Sequence, residues 1–188
     1  DYINATYVFD FVNENKTHVI NSPKAIRNFN EKLHTLKFRH LMPKNIVTSS
    51  KEDILGFLKE EKHLVLKPLN ACFGQGVMLL NEKDPNITAI INSMTANGTR
   101  MIMVQKYIEK AKSGDKRVLF LGGEILDYCV QKLPGKNDFK FNEHCYKNII
   151  RAELSEKEKA DFTPVAKELK EMGLSMVGLD VIDGKIIE

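Results

Sequence analysis

The pair Gly122-Gly123, set between the apolar runs 116–121 and 124–133, constrains the fold more than any other feature. A two-glycine loop between strand patterns predicts a tight antiparallel hairpin. The same grammar recurs along the chain. Residues 63–67 and 77–80 read as paired strands around a longer loop, 101–107 as a further strand, and 175–182 as a strand that turns at Asp183-Gly184 and returns from Lys185. Single amphipathic helices separate these strands. Ser22-Pro23 is an N-cap followed by proline, after which Ile26, Phe29, Leu33 and Leu36 share one helical face. Ser50 with Asp53 forms a capping-box pattern ahead of Ile54, Phe57 and Leu58, the predicted buried side. A third helix is predicted from Asp84-Pro85 to Asn97-Gly98. A fourth is predicted from the capping box Ser155/Glu158 to Gly173, kinked or split at Pro164. Antiparallel hairpins alternating with helices predict an α+β fold with helices on one face of each sheet. A classical dinucleotide fold is disfavoured, because no G-x-G-x-x-G opens a helix after a strand and no Walker lysine motif is present.

Composition narrows the function. The 188 residues are 43% hydrophobic, enough to bury a sizeable core as one large domain or two small ones. A net charge of +3 spread along the chain, with no basic stripe interleaved with aromatics, argues against a nucleic-acid partner. The longest apolar runs reach about half a membrane span, so no membrane partner is predicted. Cys72, Cys129 and Cys145 are far apart and odd in number, which fits a reduced, cytoplasmic protein better than a disulfide framework or a zinc site. The chain starts at Asp1 and stops at Glu188 within an apolar strand pattern, so it reads as a fragment.

Several residues have types and spacings suited to phosphate chemistry, each with a plainer alternative. Lys67 ends a strand ahead of a loop holding Gly74 and Gly76. A lone strand-end lysine most often points into water, but a fixed ammonium beside close-approaching backbone amides would also meet phosphate oxygens. Asp180 and Glu188 on neighbouring strands form either a solvated acidic pair or a magnesium site. Parity decides between them. A two-residue turn pairs Asp180 with Ile187 and sends Glu188 to the opposite face, whereas a three-residue loop 183–185 with a bulge aligns Asp180 with Glu188. The odd-length loop is the expectation. Asp115 and Arg117, two apart on a strand, share a face as a surface ion pair or as part of a site. The five histidines show no metal-ligand spacing.

The order of these pieces is more specific than any one of them. Asn30-Glu31-Lys32-Leu33, VLKPL with its glycine loop, Met103-Val104-Gln105-Lys106-Tyr107-Ile108, Gly114-Asp115-Lys116-Arg117-Val118, and Gly178-Leu179-Asp180-Val181 through Glu188 resemble the ATP-grasp ligases. Among these they look most like the bacterial glutathione synthetases, over essentially the whole chain. The resemblance implies an ATP-grasp fold: 1–28 as the remnant of an N-terminal substrate domain and linker, 29–108 as the small subdomain, and 109–188 as a truncated large subdomain. It implies ATP between two antiparallel sheets, with Lys32 and Lys67 on the phosphates, Gly74 and Gly76 covering them, and Gln105, Lys106, Tyr107 and Ile108 at adenine. Asp115 would contact the nucleotide, Asp180 and Glu188 would hold Mg²⁺ (or Mn²⁺), and Arg117, Lys132 and Asn142 would serve catalysis. The implied reaction joins γ-glutamylcysteine and glycine through an acyl phosphate, in a cytoplasmic homo-oligomer.

The chain departs from the family pattern at Asn70, Ala71, Cys72 and Phe73 after the KPL, at Lys132 in place of arginine, and across a bulky lid at 135–147. These departures keep open an ATP-grasp ligase with a different acceptor, or a catalytically impaired ATP-binding remnant.

Overall fold

The computed structural model describes residues 2–13, 15–133 and 149–188. Two antiparallel sheets carry helices on their outer faces and turn their other faces toward one another. The smaller sheet has the order β1-β4-β2-β3, from Asn45–Thr48 (β1), His63–Pro68 (β2), Met78–Asn81 (β3) and Ile102–Lys106 (β4). The larger runs β10-β9-β5-β7-β8, from Asp115–Leu121 (β5), Cys129–Lys132 (β7), Ile149–Ala152 (β8), Met176–Ile182 (β9) and Lys185–Ile186 (β10). The short strand Glu124–Ile125 (β6) pairs with β5 across Gly122-Gly123, so the predicted run 124–133 is broken into two strands.

Strand parity assigns the two faces. In the smaller sheet Leu64, Leu66, Ile102 and Val104 are fully buried against Ile54, Phe57 and Leu58 of helix Lys51–Glu61 (α3) and Ile91 and Met94 of helix Ile87–Thr95 (α4). In the larger sheet Val118, Phe120, Leu179 and Val181 meet Phe162, Val165, Ala166 and Leu169 of helix Glu156–Glu171 (α5). Val65, Lys67 and Gln105, and Arg117, Leu119 and Asp180, alternate with these core positions and so face the space between the sheets.

The caps follow the sequence in part. Ser155 and Glu158 form both halves of a capping box. At Ser50 only half is made: its hydroxyl accepts from the Asp53 amide, while the Asp53 carboxylate takes the Thr48 hydroxyl. The helix α4 begins at Ile87, two residues beyond the predicted proline. Pro164 lies inside an unbroken α5, so the predicted split does not occur.

The N-terminal part differs most from expectation. Helix Tyr2–Phe9 (α1) packs on helix Pro23–Asn28 (α2), where Arg27 donates to the Thr6 carbonyl and pairs with Asp10 at 2.8 Å. The helical periodicity predicted from Ile26 through Leu36 stops at Asn28. Phe29 is extended, and a 3-10 helix, His34–Leu41, follows. The breaker is Asn30, whose Oδ1 accepts the amides of both Lys32 and Leu33 at 3.0 Å. An asparagine side chain bonding to the backbone ahead of it competes with helix continuation.

Phe162 is fully buried where α5 meets the larger sheet. Phe162→Ala is expected to destabilise the fold by about 3–5 kcal/mol through lost transfer energy and a residual cavity, read from the urea midpoint at constant m value.

Candidate functional site

The inward faces of the two sheets enclose a cavity of about 530 Å³. One wall comes from the smaller sheet, its connector and the loop after β2: Lys67, Phe73, Gly74, and Gln105 through Ile108. The other comes from the larger sheet: Asp115, Arg117, Lys132, Asp180 and Glu188. Nearly all the residues singled out in the sequence therefore converge here. Neither Lys32 nor Gly76 lines the cavity; a Cβ at Gly76 would meet Pro68 at 3.0 Å, so that glycine serves the loop's packing. Asn142 and the lid at 135–147 lie outside the described residues.

Two buried lysines mark one end of the site: Lys67 lines the cavity, and Lys32 lies behind the lining residues Glu31 and Glu188. Lys67 is 6% exposed, and its ammonium donates to the Ile187 carbonyl at 2.8 Å across the two sheets. Burial lowers its pKa to about 8, with neighbouring Lys32 adding to the effect and the Glu188, Asp180 and Asp115 carboxylates opposing it. Lys32, which the sequence placed on a helix, sits in the turn made by Asn30 and is 1% exposed. Its Nζ donates to the Ala71 carbonyl at 2.6 Å, to Glu31 at 2.9 Å and to Glu188 at 3.0 Å. Burial works against the Lys32 ammonium, but Glu31 and Glu188 outweigh it and hold the pKa above its ordinary value.

The larger sheet contributes a charge network. Arg117 and Asp180 are cross-strand partners joined by a two-pronged bond, Nε–Oδ1 at 2.8 Å and Nη2–Oδ2 at 2.6 Å. That fork raises the guanidinium pKa further. Lys132, opposite Asp115 in the β5–β7 ladder, pairs with it at 2.9 Å and lies 3.6 Å from Asp180. Gly114 permits this approach, since its φ is +105° and a Cβ would collide with the Lys132 carbonyl. Asp115 is 2% exposed and its Oδ1 has no hydrogen-bond partner among the described residues; burial raises its pKa, Lys132 partly offsetting the effect.

The turn at Asp183-Gly184 is two residues long, with Lys185 opposite Ile182 and Ile186 opposite Val181. The expected three-residue loop is absent, because Asp183 and Gly184 both adopt left-handed backbone and close the hairpin directly. Yet Glu188 reaches the cavity. The backbone carbonyl of Asp180 accepts from the Ile187 amide at 2.9 Å and its backbone amide donates to the Glu188 carbonyl at 2.8 Å, so two residues stand opposite one. That bulge restores the parity that the short turn removes. Burial raises the Glu188 pKa, against the pull of Lys32 and Lys67.

The connector is tied from outside. The Lys106 amide donates to the Lys44 carbonyl and the Tyr107 amide to the His63 carbonyl, while Glu61 binds the side chains of Lys106 and Lys44 at 2.7 and 2.6 Å. Sequence reasoning missed Glu61, Asn30 and the carbonyls of Ala71 and Ile187. Only Asn30 carried a signal, as a turn-forming residue inside a helical pattern.

Among the described residues, no group of three or more His, Cys, Asp or Glu could hold a metal ion, and no helix is long and apolar enough to cross a membrane.

Residues 31–188 match the family of the prokaryotic glutathione synthetase ATP-grasp domain. Over 187 residues the chain is 37% identical to the glutathione synthetase of Coxiella burnetii and 36% identical to that of Synechococcus elongatus, in each case covering 100% of this chain and 58% of the relative. The chain thus spans 58% of the length of these relatives. Among solved structures, D-cycloserine synthetase DcsG aligns with a TM-score of 0.73 at 16% identity, covering 99% of this chain and 68% of its own. The ATP-grasp ligase PsnB, complexed with minimal precursor, Mg and ADP, aligns at 0.65 and 22% identity, covering 93% and 54%. These likenesses show an ATP-grasp fold, in agreement with the α+β layers of antiparallel sheet and helix.

The buried Lys67 makes stability depend on pH. Its folded pKa of about 8 lies below the ordinary 10.5, so between these values the unfolded chain holds more protons and stability rises with pH. The rise attributable to Lys67 is on the order of 3 kcal/mol. Lys67→Met is expected to flatten this part of the stability–pH curve, measured by denaturant titration from pH 7.5 to 10.5.

Proposed function

Because the chain belongs to the prokaryotic glutathione synthetase family of ATP-grasp proteins, we propose that it forms the nucleotide-binding part of an ATP-dependent carboxylate–amine ligase. The reaction is the joining of γ-L-glutamyl-L-cysteine to glycine, giving glutathione, ADP and phosphate. The observation that carries the reading is the buried Lys67 facing Arg117 and Asp180 across one cavity, with the buried Lys32 bonded to the lining residue Glu188 beside it. Buried ammonium groups need anionic partners, and phosphate oxygens supply them.

The charge balance favours a nucleotide accompanied by a divalent cation. Lys32, Lys67, Arg117 and Lys132 stand among Glu31, Asp115, Asp180 and Glu188, so the site is close to neutral in itself. A polyphosphate entering it brings negative charge that these cations, three of them already in ion pairs, only partly offset. Asp180 and Glu188, brought to one side by the bulge, are the carboxylates that would hold a Mg²⁺ ion. Bound there, it would supply charge neutralisation to a transferring phosphoryl group.

The chain's own residues would then divide the work. Lys32 and Lys67 orient the phosphates, and Arg117 meets charge developing on the transferring group. Tyr107 and Ile108 line the adenine end. With the Lys106 and Tyr107 amides bonded elsewhere, the Ile108 N–H is the connector amide left among the described residues to meet a purine edge. ATP phosphorylates the cysteinyl carboxylate of the dipeptide, the glycine amine attacks that acyl carbonyl, and phosphate leaves. A cytoplasmic homo-oligomer remains the assembly expected for the whole protein.

The test is ADP release by the full-length protein with γ-glutamylcysteine and glycine together and with each omitted. ADP formation is expected to require the dipeptide, and release indifferent to it would overturn the glutathione assignment. Lys67→Ala is expected to lower kcat/KM by about 10²-fold or more, the scale for removing one preorganised charge-stabilising group. Near-normal activity would remove Lys67 from the mechanism.

A further inference from the structure

Among the described residues, the loop between β2 and β3 is anchored across the site at its base and bonded only locally at its tip. At the base, the Leu69 carbonyl accepts from Asn30 at 2.9 Å and the Ala71 carbonyl from Lys32 at 2.6 Å. At the tip the hydrogen bonds among the described residues are local, from the Gln75 amide to the Cys72 carbonyl and from the Val77 amide to the Gly74 carbonyl. Phe73 stands at this tip with φ +54°, followed by Gly74 at +69°. Left-handed backbone is disfavoured for any side chain and most of all for a bulky one. The ring is also 65% exposed, whereas Phe38, Phe57, Phe120 and Phe162 are buried in the two cores. A residue that is both strained and wet contributes nothing evident to the fold as it stands. Its position supplies the reason: Phe73 lines the cavity, on the wall facing the charge network of the larger sheet.

We propose that Phe73 is the residue that seals this cavity, its ring covering the phosphate end of a bound nucleotide and shielding that end from water. The inference rests on the nucleotide-binding reading above. A ring laid over the bound ligand loses its exposed apolar area, and this offsets the backbone conformation it occupies. Excluding water strengthens every charge–phosphate contact beneath it and protects a hydrolysable acyl phosphate. Glycine would accept the backbone more easily but leave the mouth open. The residue is therefore expected to oppose stability and favour binding, a combination that a purely structural side chain does not produce.

The adjacent, exposed Cys72 gives a readout independent of turnover. Its alkylation by iodoacetamide would be followed by mass spectrometry of the peptide that contains it, in the full-length protein with and without ADP and Mg²⁺. ADP affinity would be measured calorimetrically on the same samples. In the natural sequence, ADP with Mg²⁺ is expected to slow Cys72 alkylation by about tenfold as the tip closes. In Phe73→Gly the protection is expected to fall below about twofold and ADP to bind about five- to tenfold more weakly, with Tm in the absence of nucleotide equal or higher. Phe73→Tyr, which keeps a ring, is expected to retain the protection. The proposal is overturned if Phe73→Gly binds ADP and protects Cys72 as the natural sequence does, or if its nucleotide-free Tm falls. Absence of any ADP binding to the natural sequence would overturn the nucleotide-binding reading itself, a result distinct from either.

Discussion

The ammonium of Lys67, held away from water and bonded to the backbone of the opposite sheet, is the constraint around which the two halves of the molecule are arranged. A charged amine is costly to bury, so the structure surrounds it with the Ile187 carbonyl and the carboxylates of Glu188, Asp180 and Asp115. All of these come from the larger sheet or from the two residues that follow its last strand, while Lys67 belongs to the smaller sheet. Lys32 repeats the arrangement from a turn, joining the Ala71 carbonyl of the β2–β3 loop to Glu188 of the larger sheet. The sheets are thus fastened together by the groups best suited to bind a polyanion. Any anion entering the cavity competes for the bonds that hold the cleft together, which couples occupancy of the site to the relation between its walls.

Alternation along the strands is what makes this economical in sequence. A single strand supplies both a core and a site: Leu64 and Leu66 go to the helices and Val65 and Lys67 to the cavity, and likewise Val118 and Phe120 against Arg117 and Leu119. The register of the ladders then sets the chemistry. Arg117 opposite Asp180 and Lys132 opposite Asp115 are the pairs that place opposite charges side by side without long side-chain excursions. A one-residue slip of either ladder would move these charges into the cores, so the buried faces protect the site's geometry.

The hairpins and most helix starts were legible because they depend on local chemistry: glycine pairs, capping serines and apolar alternation. The first long helix was misread for an equally local reason. Ile26, Phe29, Leu33 and Leu36 keep a helical period, but the Asn30 side chain captures two amides and turns the chain, and periodicity counts say nothing of that competition. The same turn is what aims Lys32 inward. Individual site residues were legible only as types. Lys67 alone is indistinguishable from a solvated strand-end lysine, because its burial is created by a sheet more than a hundred residues away. Phe73 shows why a departure from a pattern is informative only in three dimensions: its φ and exposure, not its identity, give it a role to explain.

The Asp180–Glu188 pair shows most plainly where sequence logic stops. A two-residue turn with regular pairing cannot put both carboxylates on one face. The compensating irregularity lies beyond the turn and not within it. Asp183-Gly184 is the stronger local signal and takes the tight geometry it favours, and the extra residue is absorbed beyond it, at Ile187 and Glu188. The bulge has a partner there that no turn could offer. The Ile187 carbonyl it displaces from the ladder is the acceptor of the buried Lys67 ammonium, and the Glu188 carboxylate it reorients is the acceptor of Lys32. The irregularity therefore sits where the opposite sheet's cations need acceptors, so both halves of the site fix the position of the bulge together.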